Sequence, residues 1–131
     1  MKRGTMDQNE QADFDAFWLE YVREHSHPLN RKLHMIGISL ALACIVAAIF
    51  KRKLSLLLLA PIFGYGFAWL GHFFVEKNTP KSFSRPIDSL RASALLYWKT
   101  ICGEMDAEVE RARTAATAST PHAEPISAEV N

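Results

Sequence analysis

Two uncharged apolar runs, Leu33 to Phe50 and Leu54 to Val75, are separated only by Lys51-Arg52-Lys53. No other feature limits the fold as much. At helical rise the first run is about 27 Å long and the second about 33 Å, against a hydrocarbon core of about 30 Å. Both are membrane-length. A link of three residues leaves two helices little choice but to lie antiparallel as neighbours. The predicted fold class is therefore all-α: a membrane helical hairpin of two transmembrane helices, with amphipathic helices before and after it. Gly37, Ser39, Ala41, Ala43, Ala47 and Ala48 in the first run, and Gly64 and Gly66 in the second, supply the small residues that let helices approach closely in lipid. Pro61 removes one backbone donor, which predicts a kink in the second span.

The polar ends complete one domain of 131 residues. Met1 to Gln11 reads as a frayed lead. Phe14, Phe17, Trp18, Tyr21 and Val22 then recur at amphipathic helical spacing, with Asp15, Glu20, Arg23 and Glu24 on the other side. That aromatic face can meet acyl chains at the interface or pack on the ends of the hairpin. Pro28 forbids simple continuation and opens the next helix. Beyond the spans, Pro86 opens a last helix striped by Leu90, Ala94, Tyr97, Trp98, Ile101 and Met105, weakened at Gly103. The predicted boundaries are a flexible N-terminus over 1–12, a helical domain over 13–112 and a disordered tail over 113–131, which holds His122.

Net charge is +1, which excludes an electrostatic case for nucleic acid. Cys44 and Cys102 lack zinc-thiolate spacing and read as small core residues. The polar N-terminus has no cleavable signal, so the first span itself directs insertion. Basic residues at both ends of the hairpin leave its orientation open. A homo-oligomer is compatible with this reading.

A fold-back of the hairpin places His34, at the start of the first span, beside His72, at the end of the second. Four of the five histidines fall between His25 and His72 near that bilayer face. His72 and Glu76 are four residues apart and share one side of a helix, as do Asn30 and His34. Tyr65 and Trp69 precede His72 on its own face. An ionisable group inside a span is a functional candidate, although an interfacial histidine also commonly bonds headgroups. Imidazole and carboxylate ligands without thiolate suit iron, manganese or zinc. Asn30, Asn78 and Tyr65 are candidates for holding an imidazole in one tautomer. Arg31 and Lys77, with other interfacial cations, are candidates for attracting a carboxylate.

Tyr21-x-x-x-His25, Pro28, Asn30-Arg31, His34 and Gly37, followed by Gly64-Tyr65, Trp69, Gly71-His72, Glu76, Asn78, Pro80, Phe83 and Ser89-Leu90, resemble the Mpo-one-like family over roughly Phe14 to Gly103. The resemblance implies a membrane dioxygenase that uses ferrous iron, Fe(2+), essential histidines and molecular oxygen to shorten 2-hydroxy fatty acids by one carbon. By motif position those histidines are His25, His34 and His72, with Glu76 as a further ligand candidate. His27 stands where compact members carry Asn. Compact members also carry Asp beyond the Ser-Leu pair, where this chain has Ser93. The implied location is integral to a membrane: the inner membrane in a bacterium, the endoplasmic reticulum in a eukaryote. Two other classes fit the same helices. A non-catalytic hairpin would scaffold a partner, and a metal-dependent lipid hydrolase would need no oxygen.

Overall fold

A computed structural model describes residues 3–120, which form helices α1 (Arg3–Arg23), α2 (Pro28–Lys51), α3 (Leu59–Leu70), α4 (Pro86–Ile101) and α5 (Met105–Ala118). No strand occurs among the described residues. A 3₁₀ segment, Leu54–Leu58, leads into α3, and a π turn, Gly71–Glu76, continues it.

The two membrane-length segments are Pro28–Lys51 and Leu54–Glu76, and only 17% and 11% of their apolar windows is buried. A soluble protein's core helix would be mostly covered. They pair closely at Gly37, where a Cβ would lie 2.8 Å from the Phe67 Cβ and 2.9 Å from the Phe63 carbonyl oxygen. A Cβ at Gly64 would lie 3.8 Å from the Ala41 methyl, an ordinary contact, and one at Gly66 would meet nothing within 4 Å. Close approach thus depends on Gly37, and the expected parts for Gly64 and Gly66 are not found. Pro61 sits in the first turn of α3, just after the 3₁₀ segment. The predicted disturbance falls before it, as the change from 3₁₀ to α geometry.

Outside the hairpin, α1, α4 and α5 form a second packed unit. Phe14, Phe17, Trp18, Tyr21 and Val22 are buried against Ala92 and Leu96 of α4 and Met105, Val109 and Ala112 of α5. The aromatic face of α1 therefore meets protein and not acyl chains. Three corrections to the predicted boundaries follow from local chemistry. The chain is already helical at Arg3, where composition predicts a flexible lead over 1–12, because the stretch to Gln11 has no proline and continues a helix nucleated by the packed aromatics. The single last helix is two, divided at Gly103, whose φ of +74° closes α4 with bonds from Gly103 N to Thr100 O and from Glu104 N to Lys99 O. The predicted tail over 113–131 is helical as far as Ala118, since alanine favours helix strongly. Residues 121–131, including His122, lie outside the described residues. Cys44 is half-buried and Cys102 exposed, so neither is the fully buried core residue expected.

Candidate metal centre

Helix α1 ends at Arg23, and its last carbonyls have no partner within the helix. The residues that follow take them up. His25 Nδ1 donates to the Tyr21 carbonyl at 2.6 Å, while Asn30 Nδ2 and Asn78 Nδ2 donate to the Glu24 carbonyl at 3.4 and 3.2 Å. Arg31 donates to the carbonyls of His25 and Ser26 at 3.1 and 2.7 Å. The end of α1 is thereby tied to the first turn of α2. His27 caps that turn, its side chain accepting from Leu29 N at 3.1 Å.

His34 enters from α2, with Nδ1 donating to the Asn30 carbonyl at 3.0 Å. His72 enters from the π turn, with Nδ1 donating to Asn78 Oδ1 at 2.7 Å. The π turn makes that last contact reachable. Lys77, at φ +56°, stops the helix with its N–H on the His72 carbonyl, and Asn78 N bonds the same oxygen at 3.0 Å. The chain doubles back, and Asn78 faces His72. Gly71 leaves room for Asn30, whose Oδ1 would lie 1.9 Å from a Cβ at that position.

His25, His34 and His72 are buried, and one ligand atom from each lies within 4.8 Å of the others. All three Nδ1 atoms face oxygens that only accept, so each Nδ1 carries the proton and each Nε2 presents a lone pair. The Nε2 atoms of His25 and His34 are 3.0 Å apart. Two bare lone pairs at that distance repel unless a cation shares them. Burial, with His34 and His72 beside it, holds the His25 imidazole well below the ordinary histidine range, so a proton is a poor candidate for that cation. Tyr21 stacks on His25 at 4.0 Å between ring centroids, and burial raises its phenol above the ordinary range, keeping it protonated. Three neutral, convergent imidazoles fit a divalent transition metal, iron and zinc alike.

The remaining candidates are placed differently. Glu76 is outside the cluster: its Oε1 accepts from His27 N at 2.6 Å and Asn30 Nδ2 at 3.4 Å. In a π turn, residues four apart no longer stack, so Glu76 turns away from the His72 ring to the start of α2. Asn30 supports His34 through its carbonyl, and Asn78 supports His72 through its side chain. Tyr65 contacts Trp69 at 5.9 Å between centroids and holds no imidazole by a hydrogen bond. Arg31 is engaged by two carbonyls and by Asp106 at 3.1 Å. Lys77 is an exposed turn residue.

A groove of about 470 Å³ starts at His34 and His72 and runs between α2 and α3, with α4 as its third wall. From His34 to Ile45 its α2 wall is about 16 Å long by helical rise. Its lining is mostly apolar, with Lys81, Ser82, Ser89 and Ser93 among the polar exceptions. The sequence marks Ser89 and Ser93 only through the family motif and gives Lys81, Ser82 and Glu24 no part in the site.

An all-helical hairpin with a buried histidine cluster suited to a metal ion is the class that fold and site define. Within it the chain belongs to the Mpo1-like family: the family model described as 2-hydroxy-palmitic acid dioxygenase Mpo1-like matches residues 11–105. Comparison with curated proteins and with solved structures gives no match.

Proposed function

We propose that this chain is an integral membrane dioxygenase that uses Fe(II) and molecular oxygen to shorten 2-hydroxy fatty acids by one carbon. The observation that carries the reading is the approach of two imidazole Nε2 atoms to 3.0 Å, with a third imidazole converging on them. The family description supports dioxygenase chemistry on a 2-hydroxy acid. Iron bound there would supply Lewis-acidic and redox chemistry for a reaction of a hydroxy acid with oxygen.

The protein's own part is positioning. His25, His34 and His72 would hold the ion, and the Tyr21 and Asn30 carbonyls and Asn78 Oδ1 keep each ring in the tautomer that leaves Nε2 free. The groove takes the acyl chain along α2 and α3 while its polar end keeps the acid group near the histidines. The exposed apolar faces of both long helices sit in lipid, so the substrate enters from the bilayer. The substrate supplies the electrons that reduce oxygen, and no oxoacid cosubstrate is required.

The test is anaerobic purification in detergent, elemental analysis, and oxygen uptake with 2-hydroxypalmitate, alongside His72→Ala. Wild type is expected to carry iron and consume oxygen, and the variant to do neither. Iron-free protein that cannot be reloaded, or equal uptake by both proteins, overturns the reading. Turnover of lipid without oxygen would point to the hydrolase, and unchanged metal content in the variant to the scaffold.

A further inference from the structure

The groove's wall changes character near the histidines. Ser82 comes from the 3₁₀ turn Lys81–Phe83, and Ser89 and Ser93 come from α4. Ser89 and Ser93 are one helical turn apart and share a face. Ser93 is occupied, its Oγ lying 2.8 Å from the Tyr21 hydroxyl. Ser82 and Ser89 are not: both hydroxyl oxygens are buried with no hydrogen-bond partner among the described residues. Ser89 is only 6% exposed. A buried hydroxyl without a partner is destabilising, and alanine in its place would remove the penalty. Two such hydroxyls on one groove mark a place that a ligand completes.

We infer that Ser82 and Ser89 bind the carboxylate of a long-chain acid whose alkyl chain lies along α2 and α3. This rests on the groove being the seat of a 2-hydroxy acid. A carboxylate only accepts hydrogen bonds, and a bond to a charged oxygen is roughly twice as strong as one to a neutral oxygen. Lys81 does not take this role. Its ammonium group is already held by Glu20 at 2.7 Å and Glu24 at 3.4 Å. Ser82 and Ser89 are the groove hydroxyls buried without a partner among the described residues.

Full-length protein in detergent, loaded with metal, is titrated with 2-hydroxypalmitate and with its methyl ester by displacement of a fluorescent fatty acid. Wild type should prefer the acid. The Ser82→Ala/Ser89→Ala double variant should lose about tenfold in affinity for the acid and none for the ester. Its thermal midpoint should equal or exceed that of wild type. Unchanged affinity for the acid, equal losses for acid and ester, or a lowered midpoint overturns the assignment. Oxygen uptake separates the two readings. Acid preference in a wild type that consumes no oxygen removes the dioxygenase and leaves the carboxylate site standing, whereas equal KM and uptake in wild type and variant removes the carboxylate site alone.

Discussion

His72 is the one imidazole of the three whose aim depends on a side chain. His25 and His34 lean on backbone carbonyls that no substitution removes, but His72 leans on Asn78 Oδ1. Asn78→Ala is therefore expected to weaken metal binding by about 10–100-fold with all three ligands still in place. Asn78→Asp, which keeps an acceptor there, should retain most of the affinity. Competition with a chromophoric chelator measures both, and wild-type affinity in Asn78→Ala would show that another contact orients the ring. The histidines and the two asparagines are legible in the sequence because proline and the hairpin fix where they must return. Glu76 is misread because spacing of four assumes an α-helix, and the sequence does not announce the π turn. Arg31 is misread for a different reason. Its carbonyl partners are the loose end of α1, whose position only tertiary packing decides.

Among the helices, the stripe of small residues is plain in the sequence, but the crossing point is not. Gly37 lies at that point and Gly66 does not, although both look alike on paper. A methyl at 37 must push Phe67 and the Phe63 carbonyl aside, and overpacking of this kind costs about 1–3 kcal/mol. Gly37→Ala should lower the unfolding midpoint in detergent and loosen His34 from His72. Gly66→Ala should leave the midpoint within experimental scatter of wild type or slightly above it. Equal behaviour of the two variants in a thermal melt would contradict the observed crossing. The division of the last helix was half visible. Gly103 marks a weak place, yet its positive φ and the reversal into α5 follow from the capping bonds, and α5 in turn provides the partner that buries the aromatic face of α1.

Across the whole molecule, the three histidines join two units. His34 and His72 belong to the hairpin, and His25 follows the helix that anchors the α1, α4 and α5 unit. The geometry of the metal centre therefore depends on how firmly that unit holds together, some distance from the histidines themselves. Glu108 of α5 is its polar fastening: it accepts from Trp18 Nε1 at 2.9 Å and pairs with Lys99 at 2.9 Å and Arg111 at 3.2 Å. Burial by itself would raise the Glu108 carboxyl, but the Trp18 hydrogen bond and the Lys99 ion pair outweigh it and hold the group below the usual carboxylate value of 4.5. A carboxyl lowered in the folded state adds stability that is fully present above pH 4.5 and disappears as pH falls through the folded value. Glu108→Gln can still accept from Trp18 but forms no ion pair. Its thermal midpoint should fall below that of wild type at neutral pH, and the gap should close as the medium is acidified past 4.5. Melts of both proteins over that range, followed by tryptophan fluorescence, check the sign. A gap that stays constant, or widens in acid, would mean that the carboxylate contributes nothing to docking α5 on α1.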